Sequence, residues 1–496
     1  MLNHNVQLKV MDFYRLINLI YFLLVRQIFA QSPAEFSISA QAEKRFISKV
    51  SQVNLQMTVR DIVKCGNRLG GTASGDKAVK YVSGRLKGYG FDPEVISEPA
   101  QLAFSDVHWN IKIEEPKRLR GLIQDEWLAG YSPSVREQKS LLTFCLLGAD
   151  IDKNKIDGKA VLLDRHPSDE IYNALVQAGA RCLLTYEPVH SSAYYSYAMI
   201  TTLKASKDNP IPVYDISTYA GERLKSELQK GIHVTLKYSS KCIVAPGHPK
   251  TIIATLQGTG DGYYIVCAHG DSDSGGPGAD DNASGVSGVL EIARLLKGLI
   301  DDDVVPPPSK SIRFIIWGSE INSSRNYIRQ HASELQKIAG VINLDEIGIA
   351  RPRNCIYFEG NDVEQNHDLL KIFENIGEKY AGQRGFWREA TTNPMLGGTD
   401  SHVFLSKSLE LLGLPSAAIP AVTVFTAAWN EPKTVAQTEG WRSRAWKGKS
   451  DSIVIGYSPY YHSTLDLPKM TTDKEPVDMA WGVNAAGLAL LQLLWK

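Results

Sequence analysis

The stretch from Tyr263 to Leu296, YYIVCAHGDSDSGGPGADDNASGVSGVLEIARLL, constrains the fold of this 496-residue chain more than any other segment. Its first five residues, 263–267, are apolar and predict a buried strand that ends at a Gly-rich loop. An amphipathic helix is predicted from about Ala283, because apolar residues then recur on one helical face. The order strand, loop, helix is typical of an open α/β sheet, where ligands bind at the carboxyl ends of the strands.

The loop between this strand and this helix carries His269, Asp271, Asp280 and Asp281. One imidazole among several carboxylates suits a borderline metal such as zinc. Taken singly, each residue would more often be a turn or capping residue in a solvated acidic loop. The combination therefore predicts a metal site, with the solvated loop as the alternative.

Two motifs in this region, HGDS at 269–272 and PGADDNASG at 277–285, resemble those of the co-catalytic zinc exopeptidases. That family includes bacterial leucine aminopeptidase, aminopeptidase Y and plasma glutamate carboxypeptidase. The resemblance implies an α/β fold of the phosphorylase/hydrolase type, with a mostly parallel central sheet flanked by helices. It also implies one or two Zn²⁺ ions per chain.

The same resemblance implies a ligand set drawn from distant parts of the chain. His269 would bind one zinc, and Asp345, in NLDEIG at 343–348, would be a further ligand. His462, in YHSTLD at 461–466, would complete the other zinc.

The loop aspartates have separate roles under this resemblance. Asp280 would be the carboxylate that bridges the two ions, and its peptide bond to Asp281 would be cis. Asp271 would orient the ring of His269 from behind, in a supporting catalytic role.

The chain departs from the family at the general base. The family has adjacent glutamates in a phrase like WGAEE, the first a base and the second a ligand, whereas this chain has WGSEINSS at 317–324. Glu320 falls on the base position and Ile321, which cannot bind metal, on the ligand position. Glu320 could be the base, it could be the ligand, or the site could be inactive. We favour Glu320 as the base, with water or Glu346 filling the lost coordination beside His462.

A later motif, GGTDSHVF at 397–404, resembles a cleft segment of the family. Asp400 and His402 would line the cleft and orient the substrate. A structural role for both residues is the alternative.

The chain divides into three parts. Residues 1–31 are predicted to be a signal peptide, because the apolar run 16–25 is too short to span a bilayer; an uncleaved membrane anchor is the alternative. Residues 43–102 and 246–496 would form the exopeptidase domain. Residues 103–245 resemble an inserted, smaller α/β protease-associated domain, expected to be a lid over the cleft or a spacer. Within the core, residues 251–256 and 263–268 predict a β-hairpin.

The amino-acid composition limits the classes of binding partner that we expect. Lys plus Arg and Asp plus Glu both number 54, which gives no electrostatic reason to expect nucleic acid or an anionic membrane surface. The expected partner is a peptide or protein substrate, with no membrane contact beyond the signal segment.

The leading hypothesis is a secreted zinc aminopeptidase. A carboxypeptidase or dipeptidase of the same fold is the runner-up, and a catalytically inactive receptor or scaffold is the rival from another class. A serine hydrolase is disfavoured because the chain has no G-x-S-x-G phrase. A glutaminyl-cyclase-like acyltransferase is disfavoured by the predicted insertion.

Overall fold

The computed structural model describes residues 38–146, 151–188, 197–351, 354–395, 398–414, 418–427, 432–434, 452–454, 458 and 460–495. The predicted signal peptide, residues 1–31, lies outside them. The strands are, in chain order, β1 (Glu94–Ser97), β2 (Gln101–Glu115), β3 (Glu126–Leu128), β4 (Val135–Cys145), β5 (Ala160–Leu163), β6 (Cys182–Thr185), β7 (Val213–Ile216), β8 (Thr235–Gly247), β9 (Lys250–Leu256), β10 (Tyr263–His269), β11 (Ser311–Trp317), β12 (Ile338–Leu344), β13 (Cys355–Gly360), β14 (Glu389–Pro394), β15 (Ala421–Ala427), β16 (Pro432–Thr434) and β17 (Ser452–Val454).

The helices are, in the same order, α1 (Ile38–Lys49), α2 (Gln52–Val63), α3 (Ala73–Gly88), α4 (Lys153–Ile156), α5 (Asp169–Gln177), α6 (Thr218–Gln229), α7 (Gly285–Asp301), α8 (Glu320–Gln330), α9 (Asn366–Tyr380), α10 (Ser406–Leu411) and α11 (Pro476–Leu494). Short 3-10 turns and one irregular turn, Ala279–Ser284, connect some of these elements.

The described residues form an eight-stranded central sheet in the order β1-β9-β11-β10-β12-β15-β13-β14. Its middle strands β11, β10, β12 and β15 are parallel to one another. β9 is antiparallel to β11, and β13 is antiparallel to β15. The predicted α/β class is confirmed, with the parallel strands at the centre of a mixed sheet.

The predicted hairpin between residues 251–256 and 263–268 is wrong, because β11 lies between β9 and β10. The turn after β9 does not fold back onto its own strand. Its amides at Thr259 and Gly260 donate instead to the carbonyls of Pro308 and Ser309, just before β11. The loop between β9 and β10 therefore runs beside the start of β11, and β9 and β10 do not pair with each other.

Alternation along the strands puts a core on each face of the central sheet. In β10, Val266 and Ala268 pack with α1, α2, α3, α7, α9 and α11 on one face. Ile265 and Cys267 point to the other face and pack with residues of α8 and α10. Burying an aliphatic side chain of this kind contributes about 1.5–3 kcal/mol before the entropy of chain ordering is subtracted.

The carboxyl ends of the parallel strands meet at one edge of this sheet. β10 ends at His269, β11 ends three residues before Glu320, and β12 ends directly before Asp345. Helix α7 begins against the end of β12, since a Cβ on Gly285 would lie 2.2 Å from the carbonyl oxygen of Leu344. Glycine at this position allows the close approach that holds the loop before α7 at the same edge.

A second, seven-stranded sheet has the order β2-β8-β4-β5-β6-β7-β3. The chain leaves the central sheet after β1 and returns to it at β9, so this sheet is an insertion in the sequence of the first. It has its own core, which includes Leu162, Leu184, Tyr214 and Tyr238. We call residues 101–247 the inserted region; its assignment to the protease-associated class stays a prediction.

Helix α11 is long and apolar enough to cross a membrane by length and composition alone, and the described residues hold no other such helix. In the structure it lies inside the central core, with 83% of its most apolar window buried. Core helices of soluble proteins have the same property, so the helix is weak evidence for a membrane span.

Candidate metal centre

The carboxylate of Asp281 lies between two imidazoles at the carboxyl edge of the central sheet. Its Oδ1 is 3.1 Å from Nε2 of His269, and its Oδ2 is 3.0 Å from Nε2 of His462. His269 Nε2 also lies 3.5 Å from Oδ1 of Asp345. The structure therefore brings together His269, Asp345 and His462, as the sequence predicts, around one shared carboxylate.

The 3.5 Å separation between His269 and Asp345 fits a site for a divalent metal ion, and the two contacts of Asp281, at 3.0 and 3.1 Å, are shorter and lie at hydrogen-bond distance. Tetrahedral zinc, with bonds of about 2.0–2.2 Å, holds its ligand atoms roughly 3.3–3.6 Å apart. Oδ1 of Asp345 is buried and, among the described residues, has no hydrogen-bond partner. One ligand atom each from His269, Glu320 and Asp345 lies within 4.8 Å of the others, close enough to hold an ion.

The bridging position is off by one residue from the sequence-based expectation. Asp280, the predicted bridge, turns its Oδ1 away to accept a hydrogen bond from the amide of Gly348 at 2.7 Å. The cis peptide bond joins Asp281 to Asn282, and not Asp280 to Asp281. Asp281 therefore occupies the position between the imidazoles, and Asp280 has a buried supporting position.

The contacts between Asp281 and the imidazoles shift the pKa of both Asp281 and His269. Burial would raise the pKa of Asp281, but its hydrogen bonds with His269 and His462 hold the pKa below the ordinary value. Burial would lower the pKa of His269, but Asp345, Asp271 and Asp281 raise it well above the ordinary value. The buried carboxylates thus favour positive charge at this point, which a bound cation would also supply.

Asp345 is oriented by two residues that the sequence reasoning missed. Thr399 donates its hydroxyl to Oδ2 of Asp345 at 2.8 Å, and Asn343 donates its side-chain amide to the same hydroxyl at 2.7 Å. These two hydrogen bonds in series fix Oδ2 of Asp345 and leave its Oδ1 facing His269. Both residues lie inside the motifs NLDEIG and GGTDSHVF, so motif position was the available signal.

Asp271 lies behind His269, as predicted. Its Oδ1 is 3.3 Å from Nδ1 of His269 and accepts the backbone amide of Glu320 at 3.1 Å. One carboxylate thus contacts the imidazole and the first residue of α8. Its position fits the predicted role of orienting the ring.

Glu320 lies on the His269 and Asp345 side of the site, at the start of α8. Burial raises its pKa well above the ordinary value; His269 opposes this effect, and Asp400 and Asp345 add to it. A carboxyl group in this environment holds a proton more readily than a solvated one.

Glu346 has a left-handed backbone conformation, with φ of 47°. Burial and the nearby carboxylates of Asp281, Asp280 and Asp345 raise its pKa well above the ordinary value. Its side chain therefore belongs to the same acidic cluster.

The loop that carries Asp281 is held by Asp466 and Arg68. Asp466 accepts the amide of Asp280 at 2.8 Å and the amide of Asp281 at 3.0 Å. Burial raises the pKa of Asp466 to about 7, although these two amide hydrogen bonds lower it.

Arg68, 1% exposed, donates to three carbonyl oxygens of the same loop. Its guanidinium reaches Gly270 at 3.3 Å, Pro277 at 2.8 Å and Gly278 at 2.7 Å. The sequence analysis missed this role of Arg68 and that of Asp466, although Asp466 ends the YHSTLD motif.

The two predicted substrate-binding residues, Asp400 and His402, differ in burial. Asp400 has no exposed surface, and His269 and Asp345 are among the groups that affect its pKa, which burial raises well above the ordinary value. This burial argues against direct contact between Asp400 and a substrate, and its predicted role in the cleft stays a prediction. His402 is half-buried, and burial and then Arg325 lower its pKa; its substrate role stays a prediction.

The fold is that of known aminopeptidase structures. A peptidase M28 precursor from Shewanella amazonensis aligns with a TM-score of 0.63 and 18% identity, covering 91% of this chain and 95% of that structure. BSAP, a zinc aminopeptidase from Bacillus subtilis, aligns with a TM-score of 0.59 and 21% identity, covering 90% of this chain and 96% of that structure. At these identities the likeness shows a shared fold.

Residues 251–485 match the model of peptidase family M28. Relatives include a probable lipoprotein aminopeptidase, LpqL, from Mycobacterium tuberculosis, 29% identical over 69% of this chain and 63% of the relative. Aminopeptidase YwaD from Bacillus subtilis is 28% identical over 76% of this chain and 75% of the relative. The match therefore spans somewhat under two thirds of LpqL and three quarters of YwaD.

Proposed function

We propose that this protein is a zinc-dependent exopeptidase, and specifically an aminopeptidase that releases N-terminal amino acids from peptides. The observation that carries the proposal is the carboxylate of Asp281 between His269 and His462, with Glu320 beside them. The family match and relatives named as aminopeptidases support the same activity.

In this proposal His269, Asp281 and Asp345 hold one zinc, and Asp281 and His462 hold the other. When bound, the two ions would polarise the scissile carbonyl and lower the pKa of the attacking water. Asp271 and Thr399 keep His269 and Asp345 in place, so that little reorganisation is needed on loading.

Glu320 is the proposed general base. Its carboxylate would take the proton of the attacking water and deliver it to the amine of the leaving product. Its partly buried position favours this role, because a carboxyl group with a raised pKa accepts a proton more readily than a solvated one.

The position of the family's second glutamate is taken by Ile321, which offers no ligand atom. We propose that water or Glu346 completes the coordination beside His462. The partly buried carboxyl of Glu346 has its pKa raised by the neighbouring carboxylates of Asp281, Asp280 and Asp345, which supports this assignment.

We further propose that the protein acts outside the cytoplasm. The apolar run at 16–25 supports a signal peptide, and the name of LpqL as a lipoprotein is compatible with export.

A panel of reporter peptides tests the proposal. Aminoacyl reporters and reporters with a free C-terminus would be incubated with the purified protein, with and without a chelator. We expect hydrolysis of aminoacyl reporters that the chelator abolishes and zinc restores. Preference for the C-terminal reporters would favour a carboxypeptidase, and no hydrolysis together with no bound zinc would favour a scaffold.

A further inference from the structure

The inserted region contacts the turn that carries His462. Ile200 donates its amide to the carbonyl of His462 at 2.8 Å, and Thr464 donates its amide to the carbonyl of Ala198 at 3.2 Å. Met199 and Ser463 form an antiparallel bridge between the same two segments. We call the paired segments, Tyr197–Thr202 and Tyr460–Leu465, the clasp.

Asp125, just before β3 of the inserted region, links both halves of the clasp. Its Oδ2 accepts the amide of Ala198 at 2.7 Å. Its Oδ1 accepts the hydroxyl of Thr464, two residues after His462. A single carboxylate therefore connects the inserted region to the turn of the metal centre.

The inserted region also anchors its own half of the clasp. Thr201 donates its hydroxyl to the buried carboxylate of Asp215 in β7, and its carbonyl accepts the amide of Gly130 at 2.8 Å. Tyr197 stacks on Tyr460 with ring centroids 5.7 Å apart. Segment 197–202 is thus fixed to the inserted sheet on one side and to the His462 turn on the other.

The His462 turn needs such support, because His462 has φ of 48°. A non-glycine residue in the left-handed region persists where its surroundings determine the conformation. Clasp hydrogen bonds lie at the carbonyl of His462 itself and at the amide of Thr464, two residues later. On the far side, Asp466 accepts the amides of the Asp281 loop.

We propose that Asp125 is a positioning residue for His462, and that the inserted region completes the metal position on the His462 side. This proposal rests on the proposed function for the identity of the ion. It gives the inserted region a role in building the centre, beyond that of a lid or spacer. The position formed by His269 and Asp345 lies at the other oxygen of the Asp281 carboxylate and should depend less on Asp125.

The test titrates Zn²⁺ into full-length, chelator-stripped protein in competition with a chromophoric chelator. Asp125→Ala removes both acceptors and should weaken binding at one of two positions by about 10- to 100-fold, the usual effect of losing a residue that orients a ligand. Asp125→Asn should restore binding, because its oxygen can accept from Ala198 and its amide can donate to the hydroxyl of Thr464. Asp152→Ala is the matched control, since it removes an exposed acceptor of the inserted region that caps α4.

Amide hydrogen exchange of residues 460–466 in the metal-free protein gives a second readout. Asp125→Ala should speed exchange there, and Asp125→Asn and Asp152→Ala should not. Unchanged zinc binding in Asp125→Ala, equal loss at both positions, or no rescue by Asp125→Asn would overturn the proposal. If the wild-type protein bound no zinc, the proposed function would fail, and the exchange of 460–466 alone would decide for or against the clasp.

Discussion

Oδ2 of Asp281 lies 3.0 Å from Nε2 of His462, although the two residues belong to motifs far apart in the chain. The central sheet brings Asp281 to its carboxyl edge, and the turn after residue 460 brings His462 to the same point. Asp466 then ties the two segments together by accepting the amide of Asp281. The centre is therefore formed by the fold, and several of its residues act by holding others.

Glu320→Gln tests the general base. The change keeps the size of the side chain but removes its ability to accept a proton, so turnover should fall by about 10²–10⁴-fold with zinc content nearly unchanged. Activity on aminoacyl reporters and metal analysis of the same preparation measure the two effects. Asn322→Ala, an exposed change on the same helix, is the control. A large loss of zinc from Glu320→Gln would make Glu320 a ligand instead.

Arg68→Lys tests the support of the metal loop. Lysine cannot reach three separate carbonyls, so buried acceptors would lose their partners, and the free energy of unfolding should fall by about 1–3 kcal/mol. Urea unfolding measures the change. Arg45→Lys, at an exposed ion pair with Asp302, should change stability by less than about 0.5 kcal/mol. Equal effects of the two substitutions would contradict the role given to Arg68.

The sequence predicted the α/β class, the strand–loop–helix unit and the convergence of His269, Asp345 and His462. The class and the unit were predictable because hydrophobic periodicity is a local signal, whereas the convergence of the three residues was implied by the resemblance to the zinc exopeptidases. It failed to choose between Asp280 and Asp281, since adjacent aspartates look alike and the choice depends on backbone direction. Here the amides of Gly348 and Ile347 fix the turn around Asp280 and Ser284.

The hairpin prediction failed for a related reason. The order of strands in a sheet depends on contacts between distant segments. β11 follows helix α7 in the chain and yet pairs with β9, so that it separates β9 from β10. Arg68 and Thr399 were missed because their hydrogen-bond partners lie far away in the sequence.

Thr399→Val tests the orientation of Asp345. The substitution removes the hydroxyl that donates to Asp345 and leaves the amide of Asn343 without this acceptor. Zinc affinity should fall by about 10- to 100-fold. Thr399→Ser, which keeps the hydroxyl, should bind zinc nearly as the wild-type protein does. Competition titration measures both variants, and equal affinity of the valine and serine variants would refute the assignment.

Asp478→Asn tests a buried carboxyl group away from the centre. Asp478 accepts the amide of Ala350 at 2.9 Å, and burial raises its pKa from 3.8 to about 7. The folded protein keeps this proton to higher pH than the unfolded chain does. This group's contribution to the free energy of unfolding therefore falls as pH rises from about 4 to about 7.

The asparagine variant does not titrate and keeps an oxygen acceptor for Ala350. Its stability relative to the wild-type protein should rise by about 2–4 kcal/mol between about pH 4.5 and about pH 8. Urea unfolding at a series of pH values measures this difference. A difference that stays constant with pH would show that Asp478 does not titrate in this way.

Anomalous diffraction at the zinc absorption edge, from crystals of the zinc-loaded protein, tests the central claim most directly. We expect two peaks on opposite sides of the Asp281 carboxylate, one beside His269 and Asp345 and one beside His462. Asp281→Asn should lose both peaks or weaken them strongly, whereas Asp280→Asn, whose side-chain oxygen can still accept from Gly348, should keep them. No peak at this site, or loss of the peaks in Asp280→Asn but not in Asp281→Asn, would contradict the account.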